Sequence, residues 1–121
     1  MSYVDGFVLV ASKKNLAAYR RMATQGAKVW MKYGALAYYE CVGDDLHAKH
    51  VTLPFPKMVS AKKNETVIFS FIVFKSRAHR DMVNAKVMKD PSMSEENWKD
   101  KPMPFDMKRM AYGGFKVIVE A

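Results

Sequence analysis

The stretch TVIFSFIVFKSRAHRDMVN, residues 66–84, decides the fold that this 121-residue chain can adopt. Its first nine residues are apolar on both faces of an extended strand, where Phe69 and Phe71 alternate with Ile68 and Ile72. A strand that is hydrophobic on both faces must be covered on both faces. The residues after it predict a helix that begins at a serine and carries polar side chains in its first turns. The stretch therefore places a central strand beside the densest polar cluster of the chain.

Length and composition indicate a single domain spanning residues 1–121, long enough to bury roughly two-thirds of its unfolded surface. Half of the residues are hydrophobic and 26% are charged, as in ordinary soluble proteins. No apolar run approaches the ~20 residues that a membrane span needs, and no signal-like segment begins the chain. The single cysteine, Cys41, cannot form an internal disulfide. We therefore expect a cytoplasmic protein without a membrane partner.

The net charge of +8 first suggests a nucleic-acid partner. Fifteen of the twenty basic residues are lysines, however, and they occur singly or in pairs, such as Lys13 with Lys14 and Lys62 with Lys63. The chain has no block of five like charges, no RNA-reading aromatic motif and no zinc-finger spacing. Scattered lysines are typical of a solvated surface. We therefore expect no specific nucleic-acid partner, and only weak, salt-sensitive association.

Hydrophobic periodicity predicts the other elements. Residues 15–33 form the clearest helix, because at 100° per residue their apolar and small side chains fall on one arc and their basic side chains on the opposite side. Gly34 is placed to end this helix, and Ser76 to begin a second helix that runs to about residue 89. The predicted strands are residues 3–11, 35–42, 66–74 and 115–121, the last entered through Gly113 and Gly114.

The resulting order β-α-β-β-α-β predicts an α+β, ferredoxin-like fold with a four-stranded antiparallel sheet and both helices on one face. The other face of the sheet would be open on a single chain. The third strand supplies apolar side chains to both faces, so the open face would be apolar as well. A wide apolar face is a liability on a soluble monomer. We therefore predict that two copies pair sheet to sheet in a symmetric homodimer.

Four segments of the chain resemble a known protein family. They are YVDGFVLVA at the start, GALAYYECVGDD, NETVIFSFIVFKSRAHRDMVNAKVMKDP and MPFDMKRMAYGGFKVIVEA. Together they cover nearly the whole chain and resemble the YbaA-like family of bacterial proteins of unknown function. The resemblance implies a ferredoxin-like fold that assembles as a dimeric α/β barrel. It implies no established activity and no catalytic residue.

The helix after the third strand carries the first candidate site, formed by His79, Arg80, Asp81 and Asn84. Arg80 and Asn84 are four residues apart and share one side of the helix. In a functional interpretation, Arg80 and Asn84 bind an anionic ligand, and His79 or Asp81 is the candidate catalytic group for proton transfer. The alternative is a solvated or dimer-facing helix surface with local ion pairs.

A second candidate site lies before the last strand, where Arg109 and Tyr112 precede two glycines. Both side chains could point into the space between sheet and helix, and Gly113 and Gly114 would let the backbone approach a ligand. The alternative is a bend in which Asp106 pairs with Arg109. If one pocket unites the two candidate sites, its expected lining is Arg80, Asp81, Asn84, Arg109 and Tyr112, with His79 at its rim.

The loop at residues 43–65 contains two histidines, His47 and His50, close to acidic residues. A zinc site needs a fixed geometry and normally a further Cys, His or acidic ligand. The loop setting and the adjacent Lys49 favour an ordinary surface segment. The chain also lacks the P-loop, GxGxxG, GxSxG and HExxH motifs. We therefore expect no metal and no cofactor.

Two functions stay open at the level of sequence. The first is a homodimer that binds a small anionic or carbonyl-bearing molecule between sheet and helices. By analogy with other dimeric α/β barrels, turnover there would make it a cofactor-independent oxygenase or isomerase. The second is a non-catalytic module that binds a protein or an RNA through its basic surface. A pocket at His79 or Asp81 would favour the first, and a continuous lysine face without a pocket would favour the second.

Overall fold

A computed structural model describes residues 1–97, 99 and 101–121 of the chain. Its strands are β1 (Tyr3–Ser12), β2 (Ala37–Val42), β3 (Glu65–Phe74) and β4 (Ala111–Lys116). Its α-helices are α1 (Leu16–Lys32), the single-turn α2 (Phe55–Met58) and α3 (Arg77–Met88). Short 3₁₀ helices follow α3 at Pro91–Met93, Glu95–Asn97 and Met107–Arg109. Within these residues, no helix combines the length and the apolar character that crossing a membrane requires.

The four strands form one antiparallel sheet in the order β2-β3-β1-β4. The long strands β1 and β3 lie in its centre and pair along their full length, from Tyr3 opposite Phe74 to Ser12 opposite Glu65. The shorter strands β2 and β4 form the two edges. This topology confirms the predicted α+β, ferredoxin-like fold with its β-α-β-β-α-β order.

Helices α1 and α3 cover one face of the sheet, which we call the inner face. Two clusters of buried side chains form the core there, and Phe7 packs against both. The sheet contributes Leu9, Ala11, Ile68, Ile72 and Phe74, and the helices contribute Tyr19, Ala23, Val29, Val83 and Val87. Fully burying one large apolar side chain contributes about 1.5–3 kcal/mol, so this core holds the helices on the sheet. It confirms the predicted apolar arc of α1.

Ser76 begins α3 as predicted, because its hydroxyl accepts a hydrogen bond from the backbone N–H of His79 at 3.1 Å. The His79 ring completes the cap, since its Nδ1 accepts from the backbone N–H of Lys75 at 3.0 Å. Two backbone donors near the helix start are thereby satisfied. The ring also packs edge-on against Phe74, with ring centres 5.9 Å apart. His79 is therefore part of the structure that positions α3.

Gly34 ends α1 as predicted. Its φ of +113° lies in a region that residues with a Cβ rarely adopt. The backbone N–H of Gly34 donates to the Met31 carbonyl at 3.2 Å, and that of Ala35 donates to the Trp30 carbonyl at 3.1 Å. These are the two hydrogen bonds of a Schellman motif. The chain turns sharply there, and β2 begins at Ala37, two residues after the predicted start.

The last strand differs from its prediction, because β4 begins at Ala111, four residues before the expected start, and ends before the chain terminus. The two glycines lie inside the strand and pair with β1. The missing side chain of Gly114 makes room for the Tyr3 ring, and in β1 the missing side chain of Gly6 makes room for the Phe115 ring. Glycines inside a strand commonly mark such close approaches, which the sequence alone does not reveal.

The opposite face of the sheet, the outer face, carries an aromatic patch formed by Tyr39, Phe69, Phe71 and Phe115. Tyr39 stacks on Phe71 with ring centres 5.0 Å apart, and the Phe69 ring lies 5.7 Å from that of Phe71. The exposed fraction is 54% for Tyr39, 45% for Phe69 and 61% for Phe115. The predicted apolar outer face is therefore present, and a single chain leaves it open to solvent.

Replacing Gly34 with alanine should lower the free energy of unfolding by about 1–2 kcal/mol, because a Cβ strains the backbone at positive φ. An added Cβ would have space, since its nearest neighbour would be His79 Nε2 at 3.5 Å. Backbone strain, and not a steric clash, is therefore what the substitution measures. Urea unfolding followed by circular dichroism gives the value.

The matched control is Gly26→Ala in the same helix. Alanine is favoured over glycine by about 1 kcal/mol in a helix interior. The nearest atom to a Cβ at position 26 would be the Tyr38 hydroxyl at 3.5 Å, an ordinary contact. This variant should keep or gain stability, and an equal loss in both variants would contradict the assignment of strain to Gly34.

Candidate functional site

The first candidate site forms a buried ion-pair cluster with β1. Arg80 donates to Asp5 Oδ1 at 2.8 Å, to Asp81 Oδ1 at 2.8 Å and to the Tyr112 hydroxyl at 3.0 Å. Asn84 donates to the other Asp5 oxygen at 3.3 Å. Asp5 is 1% exposed. The structure thus brings Arg80, Asn84 and Tyr112 together as predicted, around an aspartate that the sequence analysis did not single out.

This cluster, which we call the Asp5 cluster, is occupied by its own contacts. The Arg80 guanidinium also lies over the Tyr3 ring, 4.9 Å from the ring centre. Asn84 accepts a hydrogen bond from the Trp30 indole at 2.9 Å, which ties α3 to α1. A buried carboxylate needs such a matched cation and donors. The arrangement is that of a structural ion pair, and a ligand-binding role for these residues stays a prediction.

Arg109 lies at the other end of the sheet, and the structure does not bring it to the Asp5 cluster. Its guanidinium binds both carboxylate oxygens of Glu65, at 2.9 and 2.7 Å, together with Asp106 at 2.7 Å and the Ser60 carbonyl at 2.9 Å. The hydrogen bonds from Arg109, together with one from the backbone N–H of Lys62, lower the pKa of Glu65 to about 2. Glu65 pairs with the end of β1, seven residues from Asp5, or about 23 Å along the strand.

The single shared pocket is therefore corrected to two separate clusters. The alternative bend, with Asp106 paired to Arg109, is what the structure contains. Arg109 and Tyr112 are only three residues apart in the sequence, which suggested a single site. Their side chains reach in opposite directions along the sheet, so they belong to different clusters.

The candidate catalytic residues His79 and Asp81 line neither of the two cavities described below. His79 caps α3, as described above. Asp81 has a side chain 61% exposed and pairs with Arg80. The loop histidines His47 and His50 are exposed. In the described part of the chain, no three His, Cys, Asp or Glu residues lie close enough together to hold a metal ion.

The site with an open interior lies elsewhere, between α1, the inner face of the sheet and the segment that leads from α3 to β4. A cavity of about 600 Å³, which we call the inner cavity, occupies this space. Its lining is mainly apolar and includes the aromatic or thioether side chains of Phe7, Trp30, Phe105, Met22, Met93, Met103 and Met110. Gly26 leaves part of the α1 surface free of a side chain beside Trp30. Such a lining suits a mainly apolar ligand.

Three polar side chains, which we call the Tyr-Glu-Tyr cluster, border the inner cavity. Glu40 accepts a hydrogen bond from the Tyr19 hydroxyl at 2.6 Å on one oxygen and from the Tyr38 hydroxyl at 2.7 Å on the other. Burial, together with the Glu40 carboxylate, raises the pKa of both tyrosines, so they stay neutral donors at physiological pH. Buried Ser70 faces Glu40 across the β2–β3 pairing and lines the same cavity.

Strand and helix geometry explain how the Tyr-Glu-Tyr cluster forms. Tyr38 and Glu40 alternate with Tyr39 and Cys41 along β2, so the first pair faces α1 and the second pair faces outward. Tyr19 projects from the apolar arc of α1. The sequence predicted an apolar arc along residues 15–33, without singling out Tyr19 or Glu40 as site residues. The available signal was a lone glutamate in an otherwise apolar strand, in phase with the strand positions that face the helices.

In the described part of the chain, no cation lies within ion-pairing distance of the Glu40 carboxylate. Among the described residues, the ion pairs within 4.0 Å involve Asp5, Asp81, Asp90, Glu65 and Asp106, and none involves Glu40. Two neutral hydroxyls therefore stabilise a half-buried negative charge. A carboxylate offers about four acceptor positions, so this one can accept further hydrogen bonds from a bound molecule.

A second cavity of about 1050 Å³ adjoins the Tyr-Glu-Tyr cluster. It shares Tyr19, Tyr38 and Glu40 with the inner cavity, but it also includes Arg20 and Arg21 from the exposed side of α1. The cluster therefore lies between an apolar interior and a wider, more basic groove at the edge strand β2.

Comparisons with known proteins give the chain relatives but no activity. Residues 2–107 match the family described as "Protein of unknown function (DUF1428)". The chain is 43% identical over 120 residues to "Uncharacterized protein YbaA" of Escherichia coli strain K12, with 99% of each chain covered. The same identity and coverage hold for the protein of that name in Shigella flexneri.

A solved structure supports the fold. It is described as a dimeric ferredoxin-like protein from an uncultured marine organism, and it matches with a TM-score of 0.63 over 100% of both chains. The sequence identity is 12%. The likeness therefore concerns the fold alone.

Replacing Arg80 with alanine should lower the free energy of unfolding by about 3 kcal/mol, because Asp5 would keep its buried charge without the cation that neutralises it. Arg77→Ala, at an exposed position of the same helix, is the control and should change stability by less than about 0.5 kcal/mol. Chemical unfolding of both variants provides the comparison. A loss below about 1 kcal/mol for the Arg80 variant would indicate that the Asp5 cluster is hydrated and open to a ligand.

Proposed function

We propose that this chain, which belongs to the DUF1428 family of proteins of unknown function, is a homodimer that binds a small, mainly apolar molecule in the inner cavity. The observation that carries the proposal is the Tyr-Glu-Tyr cluster at the border of an apolar cavity of about 600 Å³. Ligand sites typically combine an apolar lining with a few polar groups that orient the bound molecule.

The volume and the lining of the inner cavity support the proposal that it is a ligand site. Its volume falls in the ~300–1,000 Å³ range of small-molecule sites. Methionine side chains are flexible and polarisable, so they adapt to the outline of a bound molecule. Gly26 costs α1 about 1 kcal/mol relative to alanine, and the space it leaves lies beside Trp30 and Tyr38. Gly26 therefore lowers the stability of α1 and at the same time enlarges the inner cavity.

The charge at the cavity revises the expected ligand class. An anionic ligand would be repelled by Glu40, and a carbonyl oxygen would bring no donor to it. The free acceptor positions of Glu40 instead suit a molecule that donates a hydrogen bond. If the ligand is turned over, Glu40 is the group placed to accept a proton, a step that an isomerase or a cofactor-independent oxygenase would require.

The outer aromatic patch supports the homodimer. Four aromatic side chains lie on a face that one chain leaves uncovered, and a face of this kind on a soluble protein marks an interaction surface. The C-terminal residues Ile118 and Val119, each 80% exposed, extend the apolar surface beyond β4. The structural neighbour is described as dimeric. Pairing of two sheets would bury the patch against its own copy.

The basic surface is the basis of the alternative, a non-catalytic module for a protein or an RNA. The exposed side of α1 carries Arg20, Arg21, Lys28 and Lys32, and α1 contains no acidic residue. A lysine face without a pocket was the pattern expected for that alternative, and a pocket at His79 or Asp81 was the pattern expected for a small-molecule site. The inner cavity lies away from His79 and Asp81, but its presence supports small-molecule binding over the alternative.

A neutral apolar probe tests the cavity. Naphthylethanol should raise the melting temperature of the protein, because a ligand that binds the folded state stabilises it. Gly26→Leu should remove this shift by filling the cavity from α1. Lys28→Leu adds the same side chain at an exposed position of that helix outside the cavity lining, and it should keep the shift. Equal shifts in both variants would place the probe elsewhere.

Light scattering at micromolar concentration tests the homodimer. The particle mass should be twice the chain mass of 13.8 kDa. Phe69→Lys should give a monomer, because it puts a charge into the outer patch. Met82→Lys is the matched control on α3, since Met82 is 46% exposed and Phe69 is 45% exposed, and it should stay dimeric. A wild-type monomer would contradict the proposal.

A further inference from the structure

We propose that the ligand of the inner cavity carries a protonated amine, which binds the carboxylate of Glu40. This inference rests on the proposed function and names the head group of the molecule that the cavity takes. It follows from the ion pairs of the other shielded acids, meaning those that are buried or half-buried, from the hydrogen bonds of Glu40 and from the aromatic rings near it.

Glu40 differs from every other shielded acid that the structure describes. Five acidic residues in the described ranges are buried or half-buried, namely Asp5, Glu40, Glu65, Asp90 and Asp106. Asp5 pairs with Arg80, Asp90 with Lys32, and both Glu65 and Asp106 with Arg109. Shielded charges are stable when they are paired. Glu40 is the member of this set that pairs with no cation in the residues that the structure describes.

The geometry leaves Glu40 ready for a cation. Tyr19 and Tyr38 each occupy one acceptor position, one on each oxygen, and about two of the four positions stay free. Both tyrosines orient the carboxylate without neutralising its charge. An ammonium group brings three donors and a positive charge, and hydrogen bonds between charged partners are the stronger kind. A neutral alcohol can supply one donor and no charge.

The rings near Glu40 also suit a cation. Trp30 and Tyr38 line the inner cavity with ring centres 6.1 Å apart, and Tyr19 meets Phe105 edge-on at 5.9 Å. Aromatic faces attract ammonium groups within about 6 Å, most strongly when water is excluded. The methionine-rich remainder of the lining would cover an apolar body. Carboxylate, rings and apolar wall together describe an amine with a hydrophobic substituent.

Basic side chains of the protein are the competing cations. Lys101 lines the inner cavity and Arg20 and Arg21 line the adjoining one, but all three are exposed and none lies within 4.0 Å of Glu40 as an ion pair. Their positions would favour an anion at the openings. Three probes that share an apolar body and differ in having a cationic, neutral or anionic head group separate these possibilities.

Calorimetry with the full-length protein at neutral pH would use naphthylethylammonium, naphthylethanol and naphthylacetate. The ammonium compound should bind about tenfold or more tightly than the alcohol, which corresponds to one charge-assisted contact. Glu40→Gln should remove this preference, because the amide keeps an acceptor oxygen for the alcohol but has no charge for the ammonium group. Glu96→Gln is the matched control at an exposed acid and should change neither affinity.

Each other outcome has a distinct meaning. Equal affinity for ammonium and alcohol in the wild type would overturn the amine inference and leave the proposed cavity standing. Tightest binding of the acetate, lost in Lys101→Met, would overturn it in favour of an anion. No binding of any probe would remove the proposed function and the inference together. Should Glu40→Gln fail to fold, Tyr38→Phe retains the carboxylate and frees an acceptor, so it should keep the ammonium preference, and its loss would overturn the inference.

Discussion

Strand β3 has apolar side chains on both faces, and the rest of the architecture responds to that constraint. On the inner face, Ile68, Ile72 and Phe74 are covered by the helices. On the outer face, Phe69 and Phe71 belong to a patch that the chain leaves open. Because the helices α1 and α3 lie on the inner face, we propose that a second copy of the chain covers this patch. The fold and the proposed assembly would then share one physical origin.

The buried and half-buried charges, in contrast, are mostly neutralised within the chain by ion pairs. The Asp5 cluster holds α3 against β1, and the contacts of Arg109 hold the loop before β4 against the start of β3. Each arrangement satisfies a shielded acid with an arginine whose donors are directed at it. Glu40 stands out against this background because two tyrosines replace the expected cation. The proposed ligand site rests on this departure from the chain's own pattern.

The candidate site predicted from the sequence consisted of the segments richest in polar and charged side chains. The structure groups those side chains differently from the prediction. Arg80, Asn84 and Tyr112 do meet, but around Asp5, which β1 carries as a single acid among apolar residues. Arg109 points to the other end of the sheet. A dense polar segment signals many hydrogen bonds, and the sequence does not say whether their partners belong to the protein or to a ligand. Single polar residues in apolar strands, such as Asp5 and Glu40, were the more informative positions.

What the sequence determined by itself was local. Alternation along residues 66–74, the arc of residues 15–33, and the caps at Ser76 and Gly34 depend on neighbours within a few positions, so they could be predicted, and with them the order of elements and the fold class. The tertiary structure alone decided that β4 contains its two glycines, because both pair with residues of β1 and the Tyr3 ring above Gly114 also comes from β1. It also decided that Tyr19 meets Glu40, since that contact requires the β2 register and the packing of α1 together. Proximity between distant segments arises from packing, and a single sequence carries no local sign of it.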